Sequence, residues 1–168
     1  MNKGLELIEA FWLFGLPAKK IEVVIHPQSI IHSMVQFIDG SVKAQLGLPD
    51  MKLPIQYALA FPKRLQNDFK RTDFAAINNL TFLKPDFNKF ECLKLAFNVL
   101  NAGGTAPCIL NAANEVAVNK FINKKIKFSQ ISDLISKALN KIENHSDPDI
   151  DIIFECDRKT REFVCTLS

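Results

Sequence analysis

The chain has 168 residues, 48% of them hydrophobic, and a formal net charge of +3. This length and composition allow a buried core, so we expect one domain or two small ones. The basic residues are spread along the chain instead of forming one basic face, which argues against nucleic acid as a partner. No long apolar run or signal-like start occurs, so we expect no membrane insertion.

The cysteines are widely spaced, with neither a Cys-x-x-Cys pair nor a Cys/His cluster. They are Cys92, Cys108, Cys156 and Cys165. This usage fits reduced thiols better than disulfides or zinc ligands. We therefore expect a cytoplasmic protein.

The first predicted element is an amphipathic helix. Its apolar residues at helical spacing are Leu5, Ile8, Phe11 and Trp12. Gly15 is a natural C-terminal stop, and Pro17 prevents continuation. We therefore predict a helix of about three turns.

The start of that helix carries the first candidate site. Backbone N–H groups at a helix start have no intrahelical partner and favour anions, so Asn2 and Lys3 could hold a phosphate. Glu6 lies one turn on and could reach a metal ion. The alternative is that Glu6 and Glu9 are solvated helix carboxylates, because one carboxylate cannot complete the oxygen shell of Mg²⁺.

A short strand and a hairpin follow. The β-branched run 21–25 predicts a buried strand that ends at His26-Pro27. Residues 30–38 and 41–46 flank Asp39-Gly40, which is typical of a two-residue hairpin turn. That turn would place Ile38 opposite Ser41.

The same register would place His32 on a polar sheet face, with Met34, Gln36, Lys43 and Gln45. His32 could donate to a substrate oxygen or act as a general acid; the alternative is a hydrogen-bonded histidine without a catalytic role. His26 and His32 do not match a zinc spacing.

Beyond the hairpin, we predict a helix over 53–61 and an ordered connector over 63–90 that packs its aromatic side chains on both neighbouring segments. The remainder, 91–168, is predicted to be a helical bundle. The expected fold is therefore α+β, with a partial mixed sheet, flanking helices and a hairpin over 1–62, followed by the connector and a C-terminal α-helical bundle.

Within the bundle we predict helices over 92–101, 105–123 and 131–142, and a last helix over 158–166 capped by Asp157. Thr105 is the expected cap of the second. The run 111–115 places amides inside a helix, where a hydrogen-bond network between helices is favoured over a direct catalytic role.

Several motifs together closely resemble the 1-deoxy-D-xylulose 5-phosphate reductoisomerase family. In chain order they are Asn2-Lys3-Gly4-Leu5-Glu6, Ile25-His26-Pro27-Gln28-Ser29, Ile31-His32-Ser33-Met34, Asp39-Gly40-Ser41, Gln45-Leu46-Gly47, Pro49-Asp50-Met51 and Asn111-Ala112-Ala113-Asn114-Glu115. They keep the family's order and extend over essentially the whole chain.

The resemblance implies an enzyme of the non-mevalonate route to isoprenoids. It would convert the phosphorylated sugar 1-deoxy-D-xylulose 5-phosphate to 2-C-methyl-D-erythritol 4-phosphate, using NADPH and Mn²⁺ or Mg²⁺. By the same resemblance, Asn2 and Lys3 bind substrate, Glu6 binds substrate and metal, His32 is an active-site histidine, and Met51 lies near the nicotinamide. A homodimer formed through the catalytic-domain sheets is also implied.

Two expected parts of such an enzyme are not found in the sequence. No strand leads into Gly103-Gly104, so this pair does not resemble a dinucleotide-binding turn. An Asp-x-Glu pair for the remaining metal ligands is also missing. We therefore expect a carboxy-terminal portion that is inactive alone; the alternatives are a non-catalytic dimerising module and a subunit that completes its site with a separate polypeptide.

Overall fold

The computed structural model describes residues 1–167. These residues form an α+β fold, as predicted, in two compact units. The first unit is Met1–Val23 with the chain from Asp86 onward, and the second is Val24–Pro85. These units differ from the predicted segments 1–62, 63–90 and 91–168, because the first helix packs on a helix that follows the connector.

The first unit is helical. Its elements are α1 (Asn2–Phe14), a 3-10 turn (Ala18–Lys20), α4 (Glu91–Ala102), α5 (Ala106–Ile122), α6 (Gln130–Lys141) and α7 (Ile150–Thr166). The second unit contains β1 (Ile31–Gln36), β2 (Val42–Leu46), α2 (Lys52–Ala60) and α3 (Phe74–Ile77). Within the described residues the sheet is two-stranded and antiparallel, so the mixed sheet expected from the sequence is not present there.

The core of the first unit is built around α5, which packs against α4, α6 and α7. Small residues on α5, such as Ala113 and Ala117, are fully buried and allow its neighbours to approach closely. The stripe predicted for α6 is confirmed, because Ile131, Leu134 and Ile135 are buried. Packing of these apolar stripes stabilises the unit.

The glycine stops predicted for two helices are confirmed, whereas the cap predicted at Thr105 is wrong. Gly15 follows α1 with a left-handed φ of 61°, which glycine adopts without steric cost. Gly104 has a φ of 60°, and a Cβ there would lie 2.1 Å from the carbonyl oxygen of His145. Thr105 stands before α5 but does not cap it: its hydroxyl donates to Asn144 Oδ1 and accepts from the His145 amide.

The prediction for the last helix is wrong at its start. Helix α7 is continuous from Ile150, and its N-cap is Asp149, whose carboxylate accepts from the Ile152 amide at 2.8 Å. Asp157 lies inside the helix, where it binds Arg161 one turn on. Asp157, which the sequence suggested as a cap, therefore forms an i, i+4 ion pair on the helix surface instead.

The buried face of α1 differs from the predicted stripe. Gly4 and Leu7 are its buried residues, whereas Trp12 is 72% exposed. Leu5, Ile8 and Phe11 are only partly buried against the core. The helix is therefore rotated relative to the expectation, because Gly4 lets its first turn approach α4 closely.

The predicted hairpin is present, but its two-residue turn is wrong. Gln36 pairs with Val42 and Met34 with Ala44, one residue out of the predicted register. The loop has three residues, because the Phe37 carbonyl accepts from Gly40 N and the Phe37 amide donates to Ser41 O. This pairing places Met34 and Gln36 beside apolar partners, so the expected polar sheet face does not form.

The Asp39 carboxylate explains the three-residue loop. It accepts from the amide of Ser41 at 2.9 Å and from the Ser41 hydroxyl at 2.6 Å. The Ser41 hydroxyl bond is the main cause of the lowered pKa of Asp39. An Asx turn of this kind competes with the hydrogen bonds between the strands. The residue opposite Ser41 is therefore Phe37 and not Ile38.

The buried strand predicted over 21–25 is reduced to a single bridge. Ile25 and Leu83 exchange both backbone hydrogen bonds, at 2.8 and 2.9 Å. The connector aromatics are also more exposed than expected: Phe74, Phe82 and Phe87 keep 40% or more of their accessible surface. Within residues 1–167, no helix is long and apolar enough to cross a membrane.

Candidate functional site

The start of α1 presents three exposed polar side chains. Asn2, Lys3 and Glu6 lie on the first turns, and Lys3 Nζ is 2.5 Å from Glu6 Oε2. The amides of Asn2 and Lys3 precede the first helical hydrogen bonds, and Met1 at the N-cap provides no side-chain acceptor. The helix start therefore offers free N–H groups, a carboxamide and an ammonium to an anion.

Gly4 has a packing role that the sequence pattern alone does not indicate. A Cβ on Gly4 would lie 2.7 Å from the Cβ of Ala96 on α4. Its absence lets the first turn of α1, which carries Asn2 and Lys3, pack directly on α4. The signal available in the sequence was a glycine inside a helix, where it costs about 1 kcal/mol relative to alanine.

The described residues alone do not fit a divalent metal ion. No group of three or more His, Cys, Asp or Glu side chains among residues 1–167 could hold a metal ion. Glu6 already binds Lys3, and a single carboxylate leaves most of the coordination shell of Mg²⁺ unfilled. Any metal role for Glu6 therefore requires ligands beyond these residues.

His32 belongs to the second unit and lies at an irregularity of the hairpin. The ladder shifts register between Ile31 and Ser33, so His32 occupies a β-bulge, a feature that redirects side chains. Its Nε2 is 3.2 Å from the carbonyl oxygen of Gly47. Because a carbonyl only accepts, Nε2 carries the hydrogen in this contact and Nδ1 is the nitrogen left for another partner.

Met51 immediately precedes α2 in the second unit and is 68% exposed. The adjacent Asp50 carboxylate accepts from the Lys52 amide at 2.9 Å, which fixes the start of the helix. An exposed, flexible thioether on a fixed helix start can pack against a flat apolar or aromatic ligand.

The run 111–115 forms the network that the sequence favoured. Asn111 Nδ2 donates to Glu115 Oε1 at 3.1 Å, and Arg161 on α7 donates to Glu115 Oε2 at 2.8 Å. Asn114 is buried, and its Oδ1 lacks a partner within the described chain. The run therefore ties α5 to α7.

The predicted site residues thus fall into two groups. Asn2, Lys3 and Glu6 share the first turns of α1, and the ion pair brings two of them together. His32 and Met51 belong to the second unit, on the hairpin and before α2. The fold defines an α+β protein whose helical unit presents a helix start with unpaired N–H groups beside the Lys3–Glu6 ion pair.

Comparison with known proteins gives a consistent result. The family model described as the DXP reductoisomerase C-terminal domain matches residues 46–163. Proteins named 1-deoxy-D-xylulose 5-phosphate reductoisomerase from Acetivibrio thermocellus and Chloroherpeton thalassium are 55% and 54% identical over 98% of this chain. The match covers 43% and 42% of their own lengths, so this chain spans less than half of these relatives.

Solved structures agree. The reductoisomerase from Zymomonas mobilis in complex with NADPH aligns with a TM-score of 0.90 at 43% identity, over 98% of this chain and 43% of that one. A DOX-P reductoisomerase in complex with NADPH, fosmidomycin and magnesium also gives 0.90, at 42% identity, over 98% of this chain and 42% of that one. The chain belongs to the 1-deoxy-D-xylulose 5-phosphate reductoisomerase family, in its C-terminal part, which confirms the resemblance seen in the sequence.

Proposed function

We propose that this chain supplies the C-terminal part of a 1-deoxy-D-xylulose 5-phosphate reductoisomerase, which converts that phosphorylated sugar to 2-C-methyl-D-erythritol 4-phosphate in the non-mevalonate route to isoprenoids. The observation that supports this proposal is the exposed start of α1, with Asn2, Lys3 and Glu6 on its first turns. It is found in a chain that aligns over 98% of its length with relatives named for this reaction. Alone, the chain is expected to be inactive, because the relatives are more than twice as long.

Asn2 and Lys3 bind the anionic substrate in this proposal. The unpaired N–H groups of the helix start favour negative charge, and Lys3 adds a full positive charge. The bond between Lys3 and Glu6 does not prevent this role: both side chains are more than half exposed, and such pairs contribute at most about 1 kcal/mol. Lys3 can therefore exchange Glu6 for substrate oxygens.

Glu6 and His32 are the proposed catalytic residues. Glu6 contacts the substrate and contributes one carboxylate to a divalent-metal site, whose other ligands lie outside the described residues. The magnesium in related structures supports this assignment. His32 is exposed and leaves Nδ1 available, so it can accept or hold a proton beside the substrate.

NADPH is the proposed reductant, since related structures contain it. Met51 is the proposed contact for the nicotinamide, because it is exposed beside a fixed helix start. Mn²⁺ is proposed as an alternative to Mg²⁺, because both favour oxygen ligands. A homodimer is a further part of the proposal, supported by the unpaired strand edges of the hairpin. A cytoplasmic location is another, supported by the free cysteines.

A chimeric enzyme tests the proposal. The upstream segment of the Acetivibrio thermocellus relative, which this chain does not cover, is fused ahead of Met1. NADPH oxidation is then measured with 1-deoxy-D-xylulose 5-phosphate and Mg²⁺. We expect activity from the chimera and none from this chain alone. A folded chimera without activity would overturn the proposal.

Lys3→Met in the chimera tests the substrate-binding role. A hydrogen bond to a charged group contributes about 1.5–3 kcal/mol, so kcat/KM should fall about 10- to 100-fold. Lys19→Met, at an exposed lysine of the 3-10 turn, is the matched control and should behave as the parent. Equal kinetics for the two variants would contradict a substrate contact at Lys3. Restored activity on mixing the two segments as separate chains would favour the two-subunit alternative.

A further inference from the structure

A tight turn leads into β1 in the second unit. The amide of Ser29 donates to the carbonyl of His26 at 3.0 Å, and Ser29 has a φ of 51°. This left-handed conformation is uncommon for a residue with a Cβ, so something must hold it. Ile30 follows directly, and His32 comes two residues later.

The connector segment 81–83 contacts this turn through hydrogen bonds and an aromatic stack. The Thr81 carbonyl accepts from His26 Nδ1 at 2.8 Å. Gln28 binds the Thr81 hydroxyl at 2.8 Å through Nε2 and the Thr81 amide at 3.2 Å through Oε1. Phe82 stacks on the His26 ring, with centroids 4.7 Å apart and 15° between planes. Thr81 thus uses its amide, carbonyl and hydroxyl on the same turn.

The tautomer of His26 follows from these contacts. A carbonyl oxygen only accepts, so His26 Nδ1 carries the hydrogen in this contact. Nε2 is buried and has no partner within residues 1–167. A buried unpaired nitrogen is unfavourable, which indicates that the ring is held here by its stack and by the bond to Thr81.

Little else fixes the base of the hairpin. Ile30 is the single buried apolar side chain that the second unit contributes. Its carbonyl accepts from Gly47 N at 2.9 Å, and the Gly47 carbonyl is the partner of His32 Nε2 at 3.2 Å. The position of His32 therefore depends on the position of Ile30, which the turn determines.

We propose that His26, Gln28 and Thr81 form a clasp that positions His32 for catalysis. The clasp stabilises the left-handed turn at Ser29, and this turn determines how the chain enters β1. The bulge between Ile31 and Ser33 then determines the direction of the His32 side chain. His26 is thereby a positioning residue that acts through His32. This inference rests on the proposed function, in which His32 contacts the reacting substrate.

Two substitutions at His26 separate positioning from packing. His26→Phe keeps an aromatic ring for the stack on Phe82 but has no donor for the Thr81 carbonyl. His26→Asn loses the ring but places a side-chain N–H where Nδ1 was. In the chimeric enzyme we expect kcat to fall about 10- to 100-fold in His26→Phe with little change in KM, since small misplacements of a catalytic group have such effects. His26→Asn should recover most of that loss.

Gln56→Ala is the matched control in the same unit. It removes the 2.6 Å bond from Asn67 to Gln56 without touching the clasp. It should lower thermal stability but leave kcat unchanged. The inference is overturned if His26→Phe retains the kcat of the parent, or if Gln56→Ala reproduces the loss at an equal decrease in Tm.

NMR on this chain gives a readout that does not require activity. The ring nitrogens of His26 should show the hydrogen on Nδ1, and His26→Phe should shift the ring signals of His32 while Gln56→Ala does not. An Nε2-protonated His26, or an unmoved His32, would contradict the clasp. If the parent chimera is inactive, the proposed function fails, and these spectra still decide whether the clasp positions His32.

Discussion

One missing methyl group fixes the position of the start of α1. Gly4 brings the first turn of α1 against Ala96, with 2.7 Å between a hypothetical Cβ and the Ala96 Cβ. Real Cβ atoms essentially never approach so closely, so the helices would have to separate. The polar residues on either side of Gly4, Lys3 and Glu6, would move with them.

Gly4→Ala is therefore expected to destabilise the first unit although alanine is the better helix former. Overpacking costs about 1–3 kcal/mol, whereas the helix-propensity gain is at most about 1 kcal/mol. The free energy of unfolding, measured with urea, should decrease. The double variant with Ala96→Gly transfers the methyl from α4 to α1 and should recover part of the loss. A Gly4→Ala protein as stable as the parent would show that α1 is not held by this contact.

The candidate site could be proposed from sequence only at the level of residue types. Asn2, Lys3 and Glu6 are candidates because a helix start, an amide and two opposite charges are visible in the motif. The role of Gly4 was not, because it depends on Ala96, far away along the chain. The clasp at His26 was missed for the same reason, since Thr81 lies 55 residues away.

Among the elements, the buried face of α6 was predicted well, whereas elements set by side-chain hydrogen bonds were not. The period of α6 follows from its own residues. The hairpin register depends on the Asp39 carboxylate binding Ser41, and the start of α7 depends on Asp149 instead of Asp157. Several acids and turn residues suit each position, so local sequence alone does not select among them.

Helix α7 carries an acid-sensitive ion pair. Arg158 binds both oxygens of Glu155, at 2.9 and 2.7 Å. These bonds lower the pKa of Glu155 from 4.5 to about 2. A carboxylate whose pKa is lowered by folding stabilises the folded state fully when the pH is above its pKa in the unfolded chain. That contribution is lost as the pH falls toward the lower pKa of the folded state. The stabilisation should therefore disappear between pH 4.5 and about 2.

Glu155→Gln should remove this pH dependence. The difference in Tm between parent and variant should be present near neutral pH and vanish at the acidic end of the window. It should also shrink in high salt, because the pair is exposed. Glu143→Gln, at an exposed glutamate outside α7, controls for the loss of one negative charge. A parent–variant difference that is constant with pH would contradict the ion pair.

The cysteines should differ in reactivity according to how deeply each thiol is buried. Burial raises the pKa of Cys108 from 9.0 to about 11, which lowers its thiolate fraction about 100-fold. Cys156 is buried, whereas Cys165 near the end of α7 is exposed. A disulfide reagent should therefore modify Cys165 first, and Cys108 and Cys156 only on unfolding. Cys165→Ser should abolish the fast phase, and a fast phase that persists would contradict this order.

At the scale of the whole molecule, the two units differ in how much apolar surface they bury. The core cluster lies entirely in the first unit, where α4, α5, α6 and α7 surround it. The second unit contributes Ile30 as its one buried apolar side chain and relies on turns, the hairpin ladder and the clasp. Local stability follows buried apolar contacts, so the second unit should open at a lower free energy.

Hydrogen exchange on this chain tests that difference. Amides of α5 and α6 should be the most protected, and those of β1 and β2 should exchange through opening of the second unit alone. Limited proteolysis should cut first within residues 63–73, which lack regular structure and are largely exposed. Leu134→Ala, which removes a buried side chain of α6, should lower the stability of the first unit by about 2–5 kcal/mol. Hydrogen exchange in that unit should therefore become faster. Uniform protection across both units would instead show that they unfold as one cooperative body, with the hairpin stabilised by contacts other than a core of its own.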